Sequence, residues 1–406
     1  MTGSSVDGQA TRPRLKDVSW ERAGDELRLV YEWREQLLLA DPDGSVAMLL
    51  ELLRAGGRTT AELAAALSGG RPEPVPVADV QAAIALLDSY RLVEDERRLG
   101  GLTAAAAERH FSTVGFFESF GTLERSREDL CRELAERHVL VLGTGGLNSN
   151  TLPHLCGLGV GRVTLLDRDA VEPRNFARQY LYRWTDIGSR KVERAAAWVR
   201  AFDPAIEVAA LDTGIESTEQ LGDLLDLLRP DVVAAGIDQP GDVDRWVNAA
   251  CVPRGIPFVR GGMWVTDGAV WSVDPGRSAC FECSFRAVAD AEVGDELAEV
   301  RAGLALAATR PRTNRGIGPI AGLLGAYGAF ELLRYLTRFE PPVYAANPLF
   351  IDFAGGCATR QRDWPRDPDC PVCAHLHPTG PQPAGRQPAA ADTGDRLTAA
   401  STVGRR

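Results

Sequence analysis

The sequence predicts an α/β protein: a doubly wound, mostly parallel sheet with an N-terminal winged helix-turn-helix domain and a zinc knuckle. Three observations predict it. An apolar strand (139–142) runs into the turn Gly143-Thr144-Gly145-Gly146, then a helix, then a second strand (163–166) ending in Asp167. Beyond it, apolar runs keep alternating with helical patterns, as strands buried on both faces of a parallel sheet do. Two Cys-x-x-Cys pairs, Cys280/Cys283 and Cys370/Cys373, stand 90 residues apart.

In chain order, residues 1–12 are polar and expected to be flexible. Residues 27–40 (LRLVYEWREQLLLA) read as a strand pair and 44–53 as a helix. Thr59-Thr60-Ala61-Glu62 reads as the capped start of a second helix, ending near Ser68-Gly69-Gly70. A third helix covers 77–90, with Val80, Ala83, Ile84, Leu86 and Leu87 at mostly helical spacing, and Leu92-Val93-Glu94 opens a short extended piece. Strands, three helices and a terminal wing make 13–100 a winged helix-turn-helix domain. A helical linker, broken near Gly115, follows over 101–135. The main domain spans 136–376. Within it 216–228 and 242–253 read as helices, 231–236 and 257–260 as strands, and 263–275 as two extended pieces around a turn at Asp267-Gly268. A long apolar helix (319–336) and a late strand (349–353) close it. The tail, 377–406, is rich in Pro, Ala and Gly and should stay disordered.

The glycine turn points to a nucleotide. Glycines let backbone N–H groups approach phosphate, the helix N-terminus favours negative charge, and an acid at the next strand tip holds ribose hydroxyls. By itself the turn also fits a dehydrogenase, although its third glycine is shifted and Asn148 follows Leu147. Asn175, Arg178, Gln179 and Lys191 favour a triphosphate. Hydride transfer does not require two cations and an amide beside the phosphates, whereas charge building on phosphate oxygens during cleavage needs fixed donors. The blander readings are that Arg178 and Lys191 are solvated charges, and that Asp238, in VVAAGIDQP, caps a helix.

G-x-G-G-L, L-L-D-x-D (Asp167 and Asp169), N-x-x-R-Q, a G-x-x-K step and a strand ending in Asp238 resemble the ThiF/MoeB superfamily of adenylyltransferases, related to ubiquitin-activating enzymes. The resemblance covers roughly residues 109–373. It implies that Gly143, Gly145 and Gly146 form the ATP turn and that Asp167 holds the ribose. It further implies that Asp169, Asn175, Arg178, Gln179 and Lys191 complete the ATP site and that Asp238 holds Mg2+, with Arg178, Lys191 and Asp238 as the catalytic set. Two departures stand out. The family's opening R-Y-x-R-Q-like segment, whose second arginine reaches a partner subunit's nucleotide, is here Arg109-His110-Phe111-Ser112-Thr113, with Ser112 at the arginine position. The crossover segment 288–317, where thiol-using members carry a cysteine, has none, which argues against a covalent thioester there.

With 406 residues, 45% hydrophobic and 25% charged, the chain can build two or three domains. Its net charge of −11 argues against nonspecific nucleic-acid binding. No apolar run suits a bilayer or a signal peptide, so a cytoplasmic protein is expected. Eight cysteines in such a chain are not expected to form a disulfide framework. Cys280, Cys283, Cys370 and Cys373 supply four thiolates for tetrahedral, structural Zn2+; a lone pair would also fit redox chemistry. Related adenylyltransferases carry the same knuckles. Cys156 and Cys251 read as small core residues, leaving Cys131 and Cys357.

The N-terminal domain resembles PqqD-like peptide-recognition elements. A DNA-binding winged helix would turn Asp79, Asp88, Glu94, Asp95 and Glu96 towards phosphate, and a structural or dimerising appendage is the other alternative. The combination is similar to microcin C-type peptide adenylating enzymes. It implies a precursor-peptide partner whose leader binds 13–100 by strand addition, activation of its carboxylate (at the C-terminus by preference), and a homodimer. Two alternatives stay open: a noncatalytic leader-binding partner of a separate cyclodehydratase, and activation of a small ubiquitin-like sulfur-carrier protein.

Overall fold

Leu27 and Leu29 on one strand meet Leu49, Leu50 and Leu53 on a helix to form the first core. The computed structural model describes residues 10–31, 36–290 and 316–376. It begins with β1 (Pro13–Leu15), then an antiparallel sheet of β2 (Ser19–Ala23), β3 (Glu26–Val30) and β4 (Gln36–Ala40). Three helices follow, α1 (Ser45–Ala55), α2 (Thr60–Ser68) and α3 (Val77–Ser89), and β5 (Val93–Asp95) returns to pair with β1. Thr59 and Glu62 form the expected capping box on α2. The expected strand pair is a three-stranded sheet, because β2 (SWERA) is mostly exposed and carries no apolar alternation to betray it. Glu94 and Asp95 do not face outward: both are buried, paired with Arg127 and Arg97.

The linker is three helices: α4 (Ala104–Arg109), α5 (Phe111–Glu118) and α6 (Arg127–Glu136). Its main break lies at 119–126, not at Gly115, which sits inside α5. Gly121 in that break lets the Glu94 carboxylate approach, since a Cβ there would collide with it. Ser126 then starts α6 with a capping box. Lys16 fastens the N-terminal unit to this turn, donating from Nζ to the carbonyls of Glu118 and Gly121.

The main sheet has eight strands. β6 (His138–Leu142), α7 (Asn148–Leu158), β7 (Arg162–Leu166), α8 (Lys191–Phe202) and β8 (Glu207–Leu211) run outward to one edge. The chain then crosses through α9 (Thr218–Leu228) to β9 (Val232–Ala235) on the other side of β6, and through α10 (Val243–Cys251) to β10 (Phe258–Met263). These five strands are parallel. β11 (Asp267–Val273) turns back, α11 (Phe281–Asp290) and α12 (Gly318–Thr337) follow, and β12 (Leu349–Asp352) and β13 (Ala358–Gln361) finish an antiparallel edge. The sheet is therefore mostly parallel, as expected. The turn before β11 lies at 264–266, and Asp267-Gly268 is already strand. β8 and β13 are mostly exposed edge strands, which hydropathy does not mark.

Alternation along β6 feeds two cores. Val139 and Val141 join Leu152, Val192, Leu324 and Leu332 on one face, while Leu140 and Leu142 join Leu221, Val247 and the four knuckle cysteines on the other. Cys156 and Cys251 are fully buried in helices as expected, Cys131 is buried in α6, and Cys357 is exposed. No described helix is long and apolar enough to cross a membrane. The expectations for 1–9, for the crossover 291–315 and for the tail 377–406 lie outside the described residues.

Candidate nucleotide site and cysteine cluster

The strand order reverses between β6 and β9, and in open α/β sheets ligands bind beyond the carboxyl ends of the strands at such a switch. The glycine turn leaves β6 here. Gly143 has φ 81°, and a Cβ on it would lie 2.8 Å from Ile237, so the turn and the loop after β9 are in contact. Asn148 holds them together: its Nδ2 donates to the carbonyls of Leu142, Gly143 and Ala234, at 3.1, 2.9 and 3.1 Å. Gly236 makes room, since a Cβ there would be 2.4 Å from that nitrogen.

Asp167 follows β7 and reaches back to the turn, accepting from Thr144 N–H at 2.7 Å and Thr144 Oγ1 at 2.9 Å. Asp169 lies beside it, and its exposed carboxylate bonds the buried Lys191 Nζ at 2.8 Å. Lys191 is the first residue of α8. Asn175 is buried and accepts from Glu172 N–H, shaping the 3-10 turn that precedes Arg178 and Gln179. Arg178 packs over Gly146, where a Cβ would meet its Nε at 2.8 Å. Gln179 faces Gly145, 3.8 Å from the corresponding Cβ position.

Two atoms here have no partner among the described residues: Arg178 Nε and Gln179 Oε1, both buried. A buried polar atom without a partner is costly, and a phosphate would supply an acceptor for the guanidinium. Burial pushes Arg178 down from the usual arginine range, with the Asp238 carboxylate opposing the shift and Arg174 adding to it. Asp238 itself is exposed, past the tip of β9. It does not cap α10, whose N-cap position is Asp242. The structure thus brings Asp167, Arg178 and Gln179 to the turn of Gly143, Gly145 and Gly146. It links Lys191 to that turn through Asp169 and Asp167, sets Asn175 in the 3-10 turn before Arg178, and leaves Asp238 electrostatically in touch with Arg178.

Arg109 stands elsewhere. Its guanidinium bonds Asp203 at 3.0 Å and the carbonyls of Cys156 and Gly157 at the end of α7, and Ser112 is exposed on α5. Arg109 is thereby committed to a helix C-terminus. Sequence reasoning passed over Thr144, Asn150 and Tyr182. Asn150 Nδ2 bridges the carbonyls of Gly146 and Arg178, at 2.8 and 2.9 Å. The buried Tyr182 hydroxyl lies 2.7 Å from Thr144 O. Only the polar run N-S-N after the turn hinted at the first of these contacts.

The cysteine cluster lies on the other face. The ligand atoms of Cys280, Cys283, Cys370 and Cys373 all lie within 4.8 Å of one another, and all four residues are buried. Three Sγ···Sγ separations are 3.8, 3.6 and 3.3 Å; a tetrahedral Zn–S bond near 2.3 Å requires roughly 3.8 Å. The contact with Cys283 pushes Cys280 up to about 12, while contacts with Cys280 and Cys373 hold Cys283 far below the thiol range. Four buried thiols this close together fit a dication, which would let all four ionise. Asn248 supports the group, with Nδ2 3.5 Å from Cys280 Sγ and Oδ1 accepting from Phe281 N–H. The cluster is consistent with a structural zinc site.

Known proteins resemble this chain in sequence and in fold. The ThiF family model matches residues 120–372, more than half of the chain. Pig adenylyltransferase and sulfurtransferase MOCS3 (Sus scrofa) is 30% identical over 240 residues, 59% of this chain and 49% of that protein; the chain spans about half the length of such relatives. Escherichia coli K12 molybdopterin-synthase adenylyltransferase is 28% identical over 242 residues, 59% of this chain and 88% of that protein. The fold of E. coli MccB matches over 89% of this chain and 96% of its own, with TM-score 0.69 and 18% identity. MccB with ATP matches at TM-score 0.66 and 18% identity, and the microcin C7 biosynthetic enzyme MccB with N-formylated MccA at 0.66 and 19%, each over 89% of this chain and 99% of its own. With the family model spanning the glycine turn, the Arg178–Lys191 segment and three of the four knuckle cysteines, the chain belongs to the ThiF family of E1-like adenylyltransferases.

Proposed function

We propose that this protein is an ATP-dependent adenylyltransferase that activates a carboxylate, preferably the C-terminal one, of a ribosomally made precursor peptide. A carboxylate oxygen attacks the α-phosphorus, the bond to the oxygen bridging to the β-phosphate breaks, and pyrophosphate leaves. No covalent enzyme nucleophile is needed, and the protein supplies position and charge compensation. Gly143, Gly145 and Gly146 offer backbone donors, Asp167 orients the ribose, and Arg178, Lys191 and Gln179 face the phosphates. Asp238 would hold Mg2+, which supplies neutralising charge at the phosphate oxygens. The buried Arg178 Nε over Gly146, without a partner among the described residues, is the observation that carries the ATP reading.

The N-terminal unit favours a peptide over other acyl substrates. Curated sequence relatives match about 59% of the chain, whereas MccB, whose structures include MccA complexes, matches in fold over 89%. We read residues 13–100 as a winged-helix peptide-recognition domain. In it β4 is, among the described residues, a free edge of the three-stranded sheet with Leu38 exposed, suited to strand addition. Incubating the protein with ATP, magnesium and a candidate precursor peptide encoded beside it should add an adenylate or its successor to the peptide's mass. Deleting residues up to about 100 should abolish leader binding; unchanged affinity would defeat the recognition reading. Activation of a sulfur-carrier protein is the second reading, favoured by relatives such as the Thermus thermophilus sulfur carrier protein adenylyltransferase, 29% identical over 245 residues. Pyrophosphate exchange driven by a carrier protein and not by the peptide would select it.

A further inference from the structure

We propose that Tyr182 and Thr144 are positioning residues that aim the Asp167 carboxylate at a single ribose hydroxyl. This rests on the nucleotide reading above and deepens it. Thr144 is fully buried, and both its N–H (2.7 Å) and its hydroxyl (2.9 Å) donate to Asp167 Oδ2. Asp169 N–H donates to Oδ1 at 2.8 Å. A carboxylate offers about four acceptor positions, so the internal bonds use all but one, on Oδ1. A carboxylate torsion is soft when left alone. Three donors fix this one.

Tyr182 holds the device from behind. Its hydroxyl lies 2.7 Å from Thr144 O and 2.9 Å from Thr144 Oγ1. The threonine's one hydroxyl proton goes to the carboxylate, because bonds to a charged acceptor are the stronger. Its oxygen is thus left to accept, and the phenol is the donor. Burial pushes Tyr182 far above the usual phenol range, so it keeps its proton at neutral pH. Tyr182 also stands on the stretch that carries Arg178 and Gln179, so one contact ties the phosphate-facing segment to the ribose acid. With one acceptor position remaining, Asp167 engages one of the two ribose hydroxyls and ignores the other.

The test is calorimetric binding of ATP, 2′-deoxyATP and 3′-deoxyATP, each with magnesium, to the full chain. One analogue should bind roughly tenfold or more weakly than ATP, and the other within about threefold. Thr144→Val should bring the weaker analogue within about threefold of ATP's affinity in that variant. Thr144→Ser should restore the discrimination, and Tyr182→Phe should reduce it at least severalfold. A purely structural role would lower the melting temperature and leave the analogue ratios alone. Tyr182→Phe, which keeps the ring, carries the test if Thr144→Val does not fold. Equal losses for both analogues in the wild type, or unchanged ratios in folded variants, would overturn the inference while leaving ATP binding intact. A wild type that binds no ATP would overturn the nucleotide reading itself.

Discussion

The cysteine cluster and the nucleotide turn are both polar groups set into an apolar sheet, yet they are built differently. The four thiols converge on one point, where they contact one another, Asn248 and the backbone at Asp367. The nucleotide side draws on the ends of β6, β7 and β9 and the start of α8, and leaves Arg178 Nε and Gln179 Oε1 without partners among the described residues. One group is a closed coordination shell, complete once a cation enters. The other is an open pattern in which Arg178 Nε lacks an acceptor and Gln179 Oε1 lacks a donor among the described residues. A third polar group, around Lys16, satisfies itself: the ammonium meets two carbonyls with Glu94 and Arg127 nearby. The difference predicts which groups carry stability and which carry chemistry.

Breaking the closed shell should have the largest effect. Stripping the metal with a chelator, or making Cys370→Ser, should cost several kcal/mol and lower the melting temperature by roughly 10 °C or more. Turnover at saturation should fall less than stability does. Loss of turnover in protein that melts normally would instead place a catalytic ion at the thiolates. Lys191→Ala should do the reverse. Substrate-dependent pyrophosphate exchange should fall roughly 100- to 1000-fold, with little change in melting because the partner, Asp169, is exposed. Persistent exchange would remove Lys191 from the phosphates.

Lys16 sharpens the contrast through pH. Burial lowers its value from 10.5 to about 8, with Glu94 opposing the shift. Between those values the unfolded chain binds the extra proton, so stability should rise with pH from about 8 to about 10.5 and be flat below. The gain is at most about 3 kcal/mol relative to Lys16→Met, read from urea midpoints across that window. A flat difference between the two proteins would mean that the ammonium is better solvated than its burial suggests. Asn148→Ala should have the smallest effect, about 1–3 kcal/mol by the same measurement, since three carbonyls lose a shared donor.

The sequence made the closed shell legible because metal ligation imposes its own spacing: two Cys-x-x-Cys pairs suffice. Four of the five parallel strands, β6, β7, β9 and β10, were legible from apolar runs, and the residues from Asn175 to Lys191 stood out by their order after Asp167. Edge strands β2, β8 and β13 were not, because they are mostly exposed and need no apolar pattern. The burial of Glu94 was hidden too, since it depends on Arg127 and on the bare Cα of Gly121, both distant in sequence. Tyr182 escaped for the same reason. A tyrosine in an irregular loop announces nothing until the fold brings it to Thr144.

The account stands most directly on calorimetric titration of the zinc-replete, full-length chain with ATP and magnesium, beside the Lys191→Ala variant. It predicts saturable binding to the wild type and affinity lowered at least tenfold in the variant. A folded wild type that takes up no ATP, or a variant that binds it equally well, would contradict the assignment of the glycine turn.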